Sequence, residues 1–265
     1  MAKTEGDVET RIREFYDTEG WVVGADGKTQ EDRYFRSFGS SRATYNERVR
    51  QRTVSQFDGL SGVLLIAGGG DLPESHMRVA TQFGKVVCVD ISWRALEINR
   101  QKLGDRGEYH LGSILDLPLP ANSVDAVLCA HVLYHIDARD QERAIRQLIR
   151  VTKPGGRLVI LYMNPHAPLN LVQGVLKRLS FNRIGRKASL YKYVHPLSWW
   201  RRFLQTCTVR MVPSDVMSTA QSDALHLNNA MGQRFFDWAA KFEDAAPRMA
   251  LRMWSYPVIV LEKLP

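Results

Sequence analysis

Short, continuously apolar runs that end in glycine or aspartate recur along this 265-residue chain. One run covers residues 62–67 and stops at Gly68-Gly69-Gly70, and a second covers residues 85–90 and stops at Asp90. Runs of this length without polar alternation are typical of strands that are buried on both faces of a parallel sheet. Stretches with helical spacing separate them, so the pattern predicts an α/β fold with a doubly wound, mostly parallel sheet.

The other elements are predicted from the same kind of pattern. Strands are expected at residues 108–111, 124–130, 157–162, 208–212 and 257–262, and a turn at 153–156 precedes the third of these. Helices are expected on both sides of a turn-rich stretch within residues 8–60, and then at 73–83, 92–103 and 138–151. A further helix contains Phe235, Trp238 and Phe242.

The composition excludes several classes of protein. With 45% hydrophobic and 24% charged residues, the chain can bury a full core without disulfides or metal ions. No apolar run approaches the roughly 18 residues that a membrane span requires, and the polar, acidic start of the chain does not resemble a targeting segment. Three isolated cysteines, Cys88, Cys129 and Cys207, predict reduced core thiols, and we therefore expect a cytoplasmic protein.

Positive charge is concentrated in one segment. Residues 143–214 contain 14 lysines and arginines and no acidic residue, whereas the whole chain has a net charge of +8. Such a field predicts an anionic partner: an acidic small molecule, an anionic membrane surface or nucleic acid. Nucleic acid is disfavoured because no RRM, KH or OB signature is visible. Surface charge that counterions screen is the alternative without a function.

The turn after the first strand is a candidate nucleotide site, because glycines there let a ligand approach the N–H groups at the start of a helix. The turn at 67–71 has neither GxGxxG nor GxxxxGK[ST] spacing, which disfavours a dinucleotide or a P-loop nucleotide. Asp90, about 20 residues later, can accept hydrogen bonds from two ribose hydroxyls. Residues 112–118 follow the third strand at the same sheet edge, where side chains can enclose an adenine.

Four stretches in this order carry a resemblance to a known family: LLIAGGGDLP, VVCVDIS, HLGSILDLPLPANSVDAVLCAHVLYHI and RVTKPGGRLVILYMNP. They resemble the successive motifs of class I S-adenosylmethionine-dependent methyltransferases, most closely the small-molecule group that includes quinone-precursor methylases. The resemblance covers about residues 60–163. It implies a seven-stranded, Rossmann-like sheet whose last strand is antiparallel, and S-adenosyl-L-methionine as the cofactor.

The layout implied by this resemblance has four parts. They are an N-terminal helical extension or cap at residues 1–60, a cofactor-binding core at 61–163, a basic, aromatic lid insertion after the fifth strand at 164–206, and the C-terminal part of the core sheet at 207–265.

The resemblance also implies roles for individual residues. Ala67, Gly68 and Gly69 would pass beneath the methionine moiety, and Asp90 would hold the ribose. The other implied cofactor contacts are Ile91 and Ile114 on the adenine faces, Ser113 beside the exocyclic amine, Ala130 and His131 on the methionine side, and Tyr45, which with Tyr16 would close over the cofactor.

Three features depart from the family pattern. Leu65 stands where the first strand usually has an acid, and Ala67 and Asp71 replace the outer glycines of the first motif. Ser113 replaces the acid beside adenine; it can accept a hydrogen bond, although without a charge. Asp71 is our candidate for the missing carboxylate toward the methionine ammonium. These departures motivate a second hypothesis, a catalytically silent methyltransferase-like subunit that binds or regulates a partner.

Two histidines after the fourth strand are candidates for the chemistry. Methyl transfer to a hydroxyl needs a base, so His135 is the candidate base and Tyr134 the candidate pocket wall. The alternative is that His135 only packs at a strand-to-helix junction. His131, His135 and Asp137 lack a further spaced ligand, so no metal site is predicted.

The basic insertion is the candidate acceptor site. Its cations are interleaved with aromatic residues, which suits an acceptor with a phosphate or carboxylate on a flat or apolar body. The candidate acceptor contacts are Tyr16, His166, Arg186 and Tyr193. Peripheral contact with an anionic membrane fits the same pattern, and aromatic residues that only form the core of the lid are the alternative.

The leading hypothesis is S-adenosylmethionine-dependent O-methylation of a small acidic, phosphorylated or lipid-linked biosynthetic intermediate. The silent subunit is the second hypothesis. An RNA methyltransferase is the third, motivated only by the basic segment. A homodimer is compatible with the sequence.

Overall fold

Seven strands form one sheet in the computed structural model, which describes residues 5–22, 42–179 and 190–265. The strands are β1 (Val63–Ala67), β2 (Lys85–Asp90), β3 (Gly107–Leu111), β4 (Val124–Ala130), β5 (Thr152–Leu161), β6 (Cys207–Asp215) and β7 (Tyr256–Lys263). Their order across the sheet is β3-β2-β1-β4-β5-β7-β6, with β1 to β5 parallel and β7 antiparallel to both of its neighbours. The predicted doubly wound, Rossmann-like sheet with an antiparallel last strand is confirmed.

Helices flank this sheet on both faces. The described α-helices are α1 (Glu5–Phe15), α2 (Ala43–Val54), α3 (Glu74–Ala80), α4 (Trp93–Leu103), α5 (Gln141–Val151), α6 (Pro168–Leu179), α7 (Thr219–Ala224), α8 (Ala230–Ala245) and α9 (Pro247–Met253). As predicted, Ser92 caps α4, since its Oγ accepts a hydrogen bond from the N–H of Ala95 at 3.3 Å. None of the helices that the structure describes combines the length and the apolar character needed to cross a bilayer.

Alternate residues of the central strands fill two separate cores, one on each face of the sheet. Leu65 and Val127 belong to the core that packs against α5. Leu64 and Leu128 belong to the core that packs against α3 and α4. Because both faces are covered, the strands need no polar alternation, which is why their sequences are continuously apolar.

The predicted core thiols are present in these layers. Cys88, Cys129 and Cys207 are all free and buried. Burial raises the pKa of Cys88 and of Cys129 to about 12, so both side chains are protonated, unreactive thiols at neutral pH.

Two strand boundaries differ from the prediction by more than one residue. β5 begins at Thr152 rather than at 157, because Thr152 already pairs with Val124 of β4, and the predicted turn at 153–156 is an irregularity within the strand, beside which the Nζ of Lys153 is 2.8 Å from the carboxylate of Asp125. β6 continues through Pro213, where a proline would normally end a strand. An edge strand tolerates proline because its outer side has no partner strand, and β6 is at the edge of the sheet.

A third, smaller core joins α2 to the C-terminal helices around the buried carboxylate of Glu243. Its Oε1 accepts hydrogen bonds from the Tyr45 hydroxyl and from the indole N–H of Trp254, both at 2.6 Å. Its Oε2 lies 2.7 Å from the Nη1 of Arg52. The Tyr45 hydroxyl also accepts a hydrogen bond from the N–H of Val216 at 3.0 Å, so one network links α2, α8 and the segment after β6.

Glu243→Ala should therefore destabilise the protein by about 3 kcal/mol, because it leaves a mostly buried arginine and two buried donors without their acceptor. The neighbouring Asp244→Ala is the matched control, since Asp244 pairs with Arg48 at the surface and should cost less than about 1 kcal/mol. Denaturant unfolding of both variants measures the difference. Equal losses would show that the buried network does not hold these elements together.

Candidate functional site

The carboxyl ends of β1, β2 and β3 meet at one edge of the sheet. The N–H of Gly68 donates to the carbonyl of Val89 at 2.7 Å, and the N–H of Gly112 donates to the carbonyl of Asp90 at 2.9 Å. These bonds join the three turns that follow the strands. The three predicted cofactor elements are therefore adjacent, in the position where open α/β sheets bind nucleotides.

The carboxylate of Asp90 is buried at the centre of this edge. Its Oδ1 accepts the N–H of Ser92 at 2.8 Å, and its Oδ2 accepts the N–H of Gly70 at 3.1 Å. Burial raises the pKa of Asp90 to about 6, although the backbone hydrogen bonds oppose this shift. Each carboxylate oxygen accepts more than one hydrogen bond, so both oxygens retain capacity for hydroxyl donors.

The glycine turn is closely covered. Gly68 and Gly70 have positive φ values of +67° and +52°. A Cβ at Gly68 would lie 2.7 Å from Val132, and one at Gly70 would lie 2.2 Å from the ring of Trp21. Only glycine therefore fits at these two positions.

Asp71, at the end of the same turn, is oriented toward α4. Its carboxylate forms an ion pair with Lys102, and the same ammonium donates to the carbonyl of Leu72 at 2.8 Å. Because the carboxylate of Asp71 already pairs with Lys102, the structure does not support the predicted contact of Asp71 with the ammonium of the cofactor.

The N-terminal segment lies over all three turns. The carboxylate of Glu9 in α1 accepts a hydrogen bond from the Ser113 hydroxyl at 2.6 Å. The carboxylate of Asp17, in a π-helical turn at Tyr16–Gly20, accepts one from the Ser92 hydroxyl at 2.6 Å. Tyr16 stacks on Trp21, the ring that covers Gly70, with centroids 5.3 Å apart. The sequence predicts Tyr16 here but does not identify Glu9, Asp17 or Trp21, because acids on a short helix look the same as a solvated face.

Two isoleucines flank the predicted adenine position. Ile91 follows β2 and is half-buried, and Ile114 follows β3 and is buried. Between the two turns, the Ser113 hydroxyl accepts the N–H of Leu115 at 3.1 Å and donates to Glu9. The structure thus brings these residues together at the edge that Asp90 also faces.

The end of β4 carries the histidine cluster. His131 follows Ala130 and has a φ of +62°, a conformation that costs energy for a side chain with a Cβ and that recurs at functional sites. Its N–H donates to the carbonyl of Leu161 at 3.1 Å, and its ring packs edge-on against Tyr256 at 5.6 Å. Burial lowers the pKa of His131 to about 4, with smaller contributions from His135 and Lys192.

His135 ends a 3-10 turn at Leu133–His135, which displaces the start of α5 from the predicted residue 138 to Gln141. Its Nδ1 lies 2.8 Å from the carbonyl oxygen of Tyr191. Because a carbonyl only accepts, Nδ1 carries the proton and Nε2 has a free lone pair. Burial lowers the pKa of His135, the carbonyl contact opposes this shift, and Lys192 lowers the pKa further. His135 is therefore a neutral imidazole at pH 7.

Tyr134 is buried and its ring lies against His135, with centroids 4.7 Å apart. The Nζ of Lys192 lies 5.2 Å from the Tyr134 ring centroid, within range of a cation–π contact. The N–H of Tyr193 donates to the carbonyl of Tyr134 at 2.9 Å, which fixes this segment beside the histidine cluster. The predicted pair of Tyr134 and His135 thus lies in contact with residues of the basic segment.

His76 in α3 is an additional buried histidine that the sequence pattern does not identify. Its Nδ1 has no hydrogen-bond partner among the residues that the structure describes. Burial lowers its pKa to about 3, with a smaller contribution from His131. His135 contributes to the lowered pKa of His131, and His131 contributes to the lowered pKa of His76. Each of these three imidazoles therefore disfavours protonation of its neighbour. Within residues 5–22, 42–179 and 190–265, no group of three His, Cys, Asp or Glu could hold a metal ion.

The remaining predicted residues lie apart from this cluster or outside the described ranges. Tyr45 is in the third core, with its hydroxyl bonded to Glu243 and Val216, so we leave it out of the proposed site. His166 is exposed, and its N–H donates to the side chain of Asn164 at 3.1 Å. Arg186 lies outside the described residues. The aromatic pair Trp199 and Trp200 of the predicted insertion is buried in the sheet core.

The sequence of the sheet and of its carboxyl-end turns is similar to that of known proteins. Residues 66–160 match a family model described as a methyltransferase domain. The chain is 33% identical over 172 residues to the protein named ubiquinone/menaquinone biosynthesis C-methyltransferase UbiE of Francisella tularensis subsp. novicida (strain U112). That match covers 60% of this chain and 66% of the relative, slightly less than two thirds of its length.

Solved structures with this fold include enzymes of different reactions. The [4+2]-cyclase SpnF aligns with a TM-score of 0.61 at 19% identity over 97% of both chains. The magnesium protoporphyrin IX methyltransferase ChlM of Synechocystis PCC 6803, solved with bound SAH, aligns with a TM-score of 0.59 at 16% identity over 97% of this chain and 100% of that chain. At these identities the likeness establishes the fold, and the reaction has to be argued from the site.

Asp90 should make the stability of the ligand-free protein depend on pH. Its folded pKa of about 6 lies above the roughly 3.9 of an unfolded chain, so the folded state loses stability as pH rises from about 4 to 6. The unfolding free energy of Asp90→Asn minus that of the wild type should therefore increase by about 2 kcal/mol between pH 4 and pH 7.

Asp58→Asn, at an exposed carboxylate, is the control, and its difference from the wild type should stay constant. Denaturant unfolding at both pH values gives the numbers. A difference for Asp90→Asn that does not change with pH would contradict the raised pKa.

Proposed function

Residues 66–160 of this chain are a methyltransferase domain of the class I, S-adenosylmethionine-dependent kind, and on this premise we propose that the protein methylates a small biosynthetic acceptor. The observation that carries the proposal is the buried Asp90 carboxylate, bonded to both the glycine turn and the start of α4. A carboxylate in this position, with acceptor capacity to spare, suits the two hydroxyls of a ribose.

The residues around Asp90 fit S-adenosylmethionine. The turn at Gly68 and Gly70 has no side chains of its own beside the carboxylate, although Val132 and Trp21 cover it, and it is the proposed position for the methionine part of the molecule. Ile91 and Ile114 supply apolar contacts for the adenine, and Ala130 and His131 border the opposite end. When bound, S-adenosylmethionine supplies an electrophilic methyl group on a sulfonium. Leu65, which stands where the family usually has an acid, is fully buried in the core, so its side chain does not extend into the proposed cofactor site.

His135 is the proposed general base. Its Nδ1–H is held by the Tyr191 carbonyl, so the Nε2 lone pair is available to take a proton from an acceptor hydroxyl. The lowered pKa keeps the imidazole neutral at pH 7, as a base requires. Tyr134 forms the wall beside it, and the ammonium of Lys192 provides positive charge where the acceptor oxygen becomes negative.

An anionic or lipid-linked acceptor fits the surroundings of this base. Residues 143–214 contain no acid, and Tyr193 presents a 44% exposed ring beside Tyr134. Leu171 and Val172 on α6 are 52% and 56% exposed, so the same segment also presents apolar side chains at its surface. Together these features support an acceptor with a carboxylate or phosphate on an apolar body, with Tyr16 and Tyr193 as proposed contacts.

Oxygen is the proposed methylated atom, because a base beside a hydroxyl generates an oxygen nucleophile directly. Carbon is the second candidate, and the printed name of the relative from Francisella tularensis, a C-methyltransferase, favours it. The same deprotonation by His135 serves both, since a phenolate also pushes electron density onto its ring carbons.

Calorimetric titration with S-adenosylmethionine and S-adenosylhomocysteine tests the cofactor. We expect micromolar binding of both by the wild type and at least a tenfold loss in Asp90→Ala, because a charge-assisted hydrogen bond is worth about 1.5–3 kcal/mol. Circular dichroism confirms that the variant is folded. A folded wild type that binds neither ligand would refute the proposal and favour the silent, partner-binding subunit.

Loss of the base should slow transfer more than binding. With methyl-labelled cofactor and a panel of hydroxylated aromatic acids, free and in lipid vesicles, His135→Gln should lower kcat by about 100-fold and leave cofactor affinity unchanged. The acidic limb of the wild-type pH profile should lie below pH 6.5, the ordinary value for histidine, because the pKa of His135 is lowered, and this limb should vanish in the variant.

His195→Gln is the matched control, because His195 also bonds a carbonyl, that of Ala138 at 3.3 Å, but stacks on Trp199. It should change kcat less than tenfold. The ¹³C shift of the transferred methyl group distinguishes oxygen from carbon as the acceptor atom. An unchanged kcat in His135→Gln would exclude His135 as the base.

A further inference from the structure

We propose that Glu9 of α1 is a cofactor-binding residue that recognises the exocyclic amine of the adenine, an inference that rests on the proposed function. At the position beside the adenine, the turn after β3 has Ser113 in place of an acid, and the acid within that turn, Asp116, is exposed. The Oε2 of Glu9 accepts the Ser113 hydroxyl proton at 2.6 Å, which places a carboxylate directly at this turn.

The hydroxyl of Ser113 is already engaged on both sides. It donates to Glu9 and accepts the N–H of Leu115 at 3.1 Å. A purine amine needs an acceptor, and a carboxylate accepts more strongly than a hydroxyl whose proton is in use. Glu9 forms no ion pair with another described residue, so its second oxygen, Oε1, keeps its lone pairs for such a donor.

The position of Glu9 is set by the packing of its own segment. Val8 and Ile12, one turn apart on α1, are 3% and 5% exposed and anchor the helix on either side of Glu9. Further along, Asp17 bonds Ser92 and Trp21 covers Gly70. Contacts at all three turns therefore hold α1 over the cofactor edge, and no lysine or arginine of the described residues pairs with Glu9.

A carboxylate at this position should distinguish adenine from hypoxanthine. It accepts hydrogen bonds and cannot donate, so it should bind the 6-amino group of adenine and repel the 6-oxo group of hypoxanthine. Glutamine at the same position offers a donor to the oxo group. The adenine part is common to S-adenosylmethionine and S-adenosylhomocysteine, so the effect of Glu9 should be equal for both ligands.

The test is calorimetric titration of wild type and Glu9→Gln with S-adenosylmethionine, S-adenosylhomocysteine and S-inosylhomocysteine. We expect Glu9→Gln to bind both adenine ligands about tenfold more weakly, the size expected for one charge-assisted hydrogen bond. Its preference for S-adenosylhomocysteine over S-inosylhomocysteine should fall by at least the same factor. Adding Ser113→Asp to this variant should restore the preference, because the carboxylate returns to the turn.

Glu14→Gln is the matched control, since Glu14 is an exposed acid on the same helix and its loss removes the same charge. It should bind all three ligands as the wild type does. If Glu9→Gln and Glu14→Gln behave alike while the wild type binds S-adenosylmethionine, the role of Glu9 is overturned and the proposed function stands. If the folded wild type binds neither adenine ligand, both proposals fail.

Discussion

The bridge formed by Asp90 is the interaction on which the cofactor edge depends. One carboxylate oxygen holds the glycine turn after β1, and the other holds the start of α4. Burial of this carboxylate raises its pKa to about 6, although the hydrogen bonds of the bridge oppose the shift, so the ligand-free protein retains a group whose ionisation is disfavoured. Hydroxyl donors from a ribose would favour the ionised form. The site thus has a stability cost without ligand that binding relieves.

The sheet is predictable because the local sequence of each central strand is sufficient to identify it. A strand buried on both faces must be apolar throughout, and residues such as Leu64 and Leu65 show this without reference to the rest of the chain. Boundaries are less predictable because they depend on neighbours. Pro213 is tolerated in β6 because β6 is an edge strand, and the turn after Thr152 belongs to β5 because β4 pairs with the residues on both sides of it.

The site residues also differ in whether local sequence or contacts with distant elements determine their position, and only the first kind is predictable. Asp90 ends β2 and His135 lies in the turn that follows β4, so the parallel sheet brings both to its carboxyl edge and the chain order reveals them. Glu9, Asp17 and His76 come from helices whose packing direction the sequence does not encode locally. Glu9 lies 104 positions from Ser113, and Asp17 lies 75 positions from Ser92. Tyr45 shows the opposite case. The family resemblance implies that it contacts the cofactor, whereas in the structure it is a core residue whose hydroxyl is bonded to Glu243.

The charges of the site are arranged in two halves with a neutral region between them. Three carboxylates, Glu9, Asp17 and Asp90, surround the turns after β1 to β3, whereas Lys192 and the acid-free segment border the end of β4. Under the proposed function, the acidic half suits a cationic cofactor and the basic half an anionic acceptor. Methyl transfer between them cancels a positive and a negative charge, and a dry, uncharged boundary favours such a reaction. Burial keeps His131 and His135 neutral there, so the histidines separate the two halves without adding a charge of their own.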